Sequence, residues 1–303
     1  MAHSIHLEKQ SRHGVLAVLL ASFLWGTTGT VASFASQLSP LAIGAFAMGV
    51  GGLLQALQAR SQLRQNIAQL LQVKPRLLLG GMAIAVYPLA FYSSMKLAGV
   101  AAGTVISIAT APFATVVLEC VLTRKSSINR RWLISFALGV VGVVMLTSGN
   151  AADAAEGQSQ TVGKMIGVLL GLVAGVAYAI YAWLAKSMID QGIPSESAMS
   201  GMFAIGAAVL IPSLLLTGQH LFASVHNILV VSYMALVPMF IGYLAFGFGL
   251  RYVNASKATL LTLFEPVVAA VLAVVIVGEQ ISLLGWTGIA LIMFCLFLQA
   301  RGS

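Results

Sequence analysis

The sequence predicts an all-α membrane protein. Ten transmembrane helices form two inverted five-helix repeats, with both termini cytoplasmic. Three observations lead there: charge is scarce, apolar residues fall into ten runs, and positive residues collect at alternate ends of those runs. Of 303 residues, 59% are hydrophobic and 8% are charged; soluble domains carry about 25% charge. Mean hydropathy is +0.97. So little charge cannot clothe a 31.6 kDa globule in water. A soluble enzyme, a disordered chain and a nucleic-acid binder are all excluded.

A spanning helix needs about 20 largely apolar residues. Runs of that kind lie at about 14–36, 41–59, 77–96, 101–122, 132–149, 165–187, 198–217, 227–250, 256–278 and 283–299. The first is too long for a signal-peptide core and reads as a retained helix. The longest polar stretch, residues 150–163, reads as an outside loop between a first repeat (1–149) and a second (164–303).

Placing the N-terminus inside puts Lys9, Arg12, Arg60, Arg64, Lys74, Arg76, Arg124, Lys125, Arg130, Arg131, Lys186, Arg251, Lys257 and Arg301 at inside ends. Only Lys96 and Lys164 fall outside. Cytoplasmic loops carry this Lys and Arg excess because it sets insertion direction. The net charge of +8 therefore reports topology and anionic lipid, not nucleic acid. The predicted location is the cytoplasmic, or inner, membrane.

Five runs per half give the halves opposite orientation. Pro112 precedes Trp132 by 20 residues, and Pro266 precedes Trp286 by 20. Phe91–Lys96 aligns with Phe246–Arg251 at an offset of 155, and the Pro and Trp pairs at 154. Inverted repeats with midplane substrate sites are a common construction of secondary transporters.

Thr262-Leu263-Phe264-Glu265-Pro266, followed by an apolar run and Gly278-Glu279, resembles the EamA-like branch of the drug/metabolite transporter superfamily. In that family each half carries such a proline in its fourth helix, often with a glutamate 13 residues on. Pro266 and Glu279 fit; the first half departs, with Ala111 before Pro112 and Lys125 at the later position. The resemblance covers nearly the whole chain. It implies a secondary transporter of small metabolites working by alternating access, foremost an exporter of amino acids, neutral or aromatic ones included. Alternatives are a channel-like facilitator, a carrier of other metabolites or drugs, and a membrane-embedded lipid enzyme. The implied partners are a small-molecule substrate, protons and the bilayer, with the chain a monomer or loose dimer.

Candidate substrate-binding residues come from polar and aromatic positions within the runs. Thr104, Ser107 and Thr110 share a helix face, and at the 155 offset they map onto Thr259, Thr262 and Glu265. Both stripes precede the helix-breaking Pro112 and Pro266. A proline displaces the carbonyl four residues earlier, here Ile108 and Thr262. Hydroxyls, water or a substrate ammonium could satisfy those carbonyls. The competing reading of the hydroxyls is contact between helices.

Glu265 falls mid-run, where a charge costs at least ~2.5–3.5 kcal/mol on insertion scales. It points to substrate or proton binding; a structural hydrogen bond is the alternative. Glu119, near the inner end of its run, reads as an ion-pair partner of Arg124 or Arg130–Arg131, and Glu279 as solvated. Trp25, Tyr87, Tyr92 and Tyr178 are candidates for a cavity lining, although aromatics also favour membrane interfaces, the reading for Trp183. Tyr181 also lies within a run.

Gly163, Gly167, Gly171 and Gly175 repeat every fourth residue and predict close helix approach, static or sliding, with Gly171 as a gating candidate. Pro88 and Pro238 interrupt the third and eighth runs. No cofactor or metal is expected: the histidines (His3, His6, His13, His220, His226) form no cluster, and Cys120 and Cys295 read as buried hydrophobes. Gly157–Lys164 misses the phosphate-loop spacing, so ATP binding is not expected.

Overall fold

The structure is a computed structural model describing residues 2–35, 37–98, 100–123, 128–148, 158–278 and 281–300. Among them all regular structure is helical. In the first half the elements are α1 (Ala2–Gly26), α2 (Thr28–Ser33), α3 (Pro40–Gln58), α4 (Arg60–Gln65), α5 (Ile67–Gln72), α6 (Lys74–Ala98), α7 (Val100–Leu118) and α8 (Arg130–Ser148). The second half holds α9 (Gln158–Asp190), α10 (Ser195–Thr217), α11 (Val225–Met234), α12 (Tyr243–Gly249), α13 (Ala255–Leu261), α14 (Phe264–Leu272) and α15 (Leu283–Ala300). Wider π turns at Glu119–Thr123, Ala235–Gly242 and Ala273–Val277 extend α7, join α11 to α12, and extend α14.

Seven stretches of the described residues are helices long and apolar enough to cross a membrane: Gln10–Ser33, Pro40–Gln58, Lys74–Ala98, Val162–Asp190, Ser195–Thr217, Val225–Gly249 and Ala255–Ile276. Two shorter apolar helices cover Ile106–Leu122 and Leu283–Cys295. Large apolar side chains stand at the surface, with Leu215, Leu216 and Leu283 more than 80% exposed. In water that surface would be an association patch; around a membrane protein it is the lipid contact.

Several boundaries differ from the sequence reading. The first run is broken at Thr27, and α1 extends further toward the N-terminus. The connection after α3, expected on the inner side, is not loop but two short helices, α4 and α5. Of the polar stretch at 150–163, residues up to 157 lie outside the described residues, and α9 already begins at Gln158. Local chemistry sets other ends: Pro40 opens α3, needing no donor in the first turn. Ser224 caps α11 by accepting from Asn227 N–H at 3.1 Å, and Asn254 caps α13 by accepting from Lys257 N–H at 2.9 Å.

The tightest pairs are α6 with α9, α8 with α15, α7 with α9 and α3 with α10. Side chains near several helix ends meet. Arg76 Nη1 donates to Gln191 Oε1 at 2.6 Å, Arg251 lies 3.5 Å from Glu196, and Asn66 Nδ2 donates to Ser197 at 3.2 Å. At the opposite end His226 Nε2 lies 2.7 Å from the Phe34 carbonyl. Glu119 is buried, and its Oε1 accepts from Ser256 N–H at 3.0 Å, so an acid of the first half supports the first turn of α13. Arg124, one partner expected for it, lies outside the described residues, as does Glu279.

Candidate functional site

α13 and α14 are one rod broken at Thr262–Leu263, and the break explains the Glu-Pro pair. Pro266 sits in the first turn of α14, where N–H groups lack intrahelical partners, so its missing donor costs little there. The displaced carbonyl of Thr262 is not left open for a ligand: it accepts Glu265 N–H at 2.9 Å. The Thr262 hydroxyl donates to the Thr259 carbonyl at 2.7 Å. Glu265 thus stands in the first turn of a short helix, midway along its rod.

Glu265 opens onto a cavity about 30 Å³ in volume, little more than one water's share of liquid. α1 contributes Trp25 to its lining, and α2 contributes Thr28. α3 gives Gly44 and Met48, and α6 gives Tyr87, Pro88, Phe91 and Tyr92. From the second half come Tyr178 and Tyr181 of α9, Met239 of the π turn and Tyr243 of α12. The rings form one array. Trp25 and Tyr243 lie 4.7 Å apart, Tyr178 and Tyr181 stack at 5.1 Å, and Tyr87 meets Tyr178 at 5.7 Å. Tyr178 OH donates to Thr262 Oγ1 at 3.3 Å, and the Tyr181 and Tyr243 hydroxyls share a bond of 2.9 Å.

The wall between Met239 and Tyr243 is held from outside its own helix. Where a π turn reverts to α step, the ladder skips a carbonyl. Here the carbonyls of Pro238 and Met239 accept side-chain donors: Trp25 Nε1 at 2.9 Å and Gln55 Nε2 at 3.1 Å. Gln55 is fully buried and its Oε1 has no partner among the described residues.

The predicted site residues therefore divide. Trp25, Tyr87, Tyr92, Tyr178 and Glu265 line one cavity, and Thr262 touches it through Tyr178. Thr259 is buried, bonding the Ala255 carbonyl at 3.0 Å and Thr115 at 3.4 Å. Ser107 donates to the Gly103 carbonyl at 2.8 Å. Thr110 lines a separate, apolar groove between α7, α8 and α9, with Phe113 and Phe136. The side chain of Thr104 lies outside the described residues. Pro112 stays inside an unbroken α7. The glycine stripe faces α6 and α7: a Cβ on Gly171 would lie 2.9 Å from Ser94 Oγ.

Sequence reasoning missed Gln55, Tyr243, Met48 and Met239. A glutamine inside an apolar run was the available signal for Gln55; the others had none beyond their runs.

The sequence pattern of the EamA-like transporter family matches residues 12–148 and again residues 165–300. This chain belongs to the EamA-like transporter family. It is a multi-pass membrane transporter and not an enzyme. This EamA-like chain is 34% identical over 290 residues to the uncharacterized transporter YwfM of Bacillus subtilis (strain 168), covering 92% of this chain and 90% of that one. It is 27% identical over 198 residues to the uncharacterized inner membrane transporter YedA of Escherichia coli (strain K12), covering 65% and 60% respectively. A solved crystal structure shares the fold with a TM-score of 0.77 at 19% identity, over 94% of this chain and 95% of the other.

Proposed function

We propose that this protein is a secondary carrier of the cytoplasmic membrane that exports small metabolites, amino acids foremost, by alternating access. The observation that carries the proposal is Glu265: one carboxylate on a small, ring-lined cavity, at a helix break, with walls drawn from both halves of the chain. Trp25, Tyr87, Tyr92 and Tyr178 contact the substrate, its ammonium group meets Glu265, and protons compete for the same carboxylate.

The architecture of this mechanism is ten rods in two inverted five-helix repeats. The family pattern matches once per half. The pairing of α6 with α9 has a counterpart in α12 with α1, and that of α7 with α9 in α14 with α1. A two-fold exchange of halves maps each pair onto the other. A site on such an axis can be uncovered from either side by similar motions. The contacts among ends carrying Arg76, Arg251 and Asn66 support an inside location for both termini.

Counterflow in proteoliposomes tests the proposal. Vesicles loaded with an unlabelled amino-acid panel are expected to accelerate uptake of the matching labelled compound, saturably, and Glu265→Gln is expected to abolish its pH dependence. Flux that is linear in concentration and shows no exchange would refute the carrier.

A further inference from the structure

We propose that the Glu265 cavity selects organic cations without a free carboxylate, aromatic amines and quaternary ammonium compounds foremost, over zwitterionic amino acids. This rests on reading the cavity as the substrate site and revises the order of substrates within it: amines and the amides or esters of amino acids come ahead of free amino acids. An aromatic face attracts a cation through its negative quadrupole, most strongly when water is excluded. Here seven rings line a space of about 30 Å³, so the walls must part to admit any ligand head larger than a water. Glu265 shares that lining with the Tyr87, Tyr92, Tyr178 and Tyr243 phenols.

A carboxylate has no comparable reception. Among the described lining residues there is no Lys, Arg or His. A second carboxylate inside so small a volume would face Glu265 as a like charge. The neutral donors are partly committed: Tyr178 to Thr262, and one hydroxyl hydrogen of the Tyr181–Tyr243 pair to its partner. Neutral phenols can serve an amide or ester, which brings no second negative charge.

The test uses binding and exchange together, on the full-length carrier. Purified protein is titrated with phenylalanine, phenylalaninamide, phenethylamine and phenethyl-trimethylammonium, read by competition against labelled phenethylamine. The same compounds are then run in proteoliposome counterflow. The amide, the amine and the quaternary cation are expected to bind at least tenfold tighter than phenylalanine. The quaternary compound cannot donate a hydrogen bond through its nitrogen, so its binding isolates the ring faces. Tyr87→Phe is expected to keep that preference and Tyr87→Leu to lose it severalfold; the Phe variant guards against misfolding. Phenylalanine binding equally well or better, or no binding by any of the four, overturns the inference. Cation binding without exchange upholds the cage and defeats the carrier reading. Exchange of phenylalanine in preference to its amide upholds the carrier and defeats the cage.

Discussion

Replacing Gln55 by leucine tests how the cavity wall is held. The side chain is fully buried and donates one hydrogen bond, 3.1 Å long, to the Met239 carbonyl on the π turn. Side-chain hydrogen bonds between membrane helices average about 0.6 kcal/mol and reach about 1.7. Leucine keeps most of the volume, strands the carbonyl, and removes the unpartnered Oε1, which offsets part of the loss. The expected destabilisation is about 1 kcal/mol, or about fivefold in the unfolding constant. SDS-induced unfolding in mixed micelles measures it. Because Met239 and Tyr243 line the cavity, KM in counterflow should rise severalfold. Trp25→Phe removes the neighbouring bond to Pro238, so the double variant should be non-additive. A Gln55→Leu protein with wild-type unfolding, within about 0.3 kcal/mol, and an unchanged KM would refute this account of the wall.

Other substitutions probe separate parts. Gly44→Ala would push a methyl group into the Tyr92 ring at the cavity wall; KM should rise while the protein still folds, as checked by size-exclusion elution and counterflow. Gly171→Leu would drive a side chain against Ser94 and Ile106 in the α6–α7 packing face; recovery of folded protein from membranes should collapse. Glu119→Ala strands the Ser256 N–H and should cost about 1–2 kcal/mol in SDS unfolding, whereas Glu119→Gln keeps the acceptor and should cost clearly less.

Much of the molecule was legible in one dimension because lipid imposes a simple rule. A helix must satisfy its own backbone and be apolar for its whole crossing, so the seven long apolar helices overlap runs read from length and hydropathy. Glu265 was legible for the same reason, as a charge where charge is costly. The polar stripes were a weaker guide. Thr259, Thr262 and Ser107 bond carbonyls of their own helices, which a hydroxyl does whenever it lies three or four residues from one. Thr110 faces a different groove from Glu265 although the repeat offset equates them. Gln55 escaped notice because its partner lies 184 residues away.

The sequence by itself determined the solvent, the helical class and the presence of an acidic residue, Glu265, inside an apolar run. These follow from local counts, since hydropathy and charge act along a single helix. Only the tertiary structure decided which rings meet. Tyr243 joins Trp25, Tyr87 and Tyr178 around Glu265 because α1, α6, α9, α12 and α14 converge there, and no spacing along the chain encodes that convergence. The same holds for the two carbonyls of the π turn, whose donors sit on α1 and α3. Packing between helices, not periodicity within them, selects those partners.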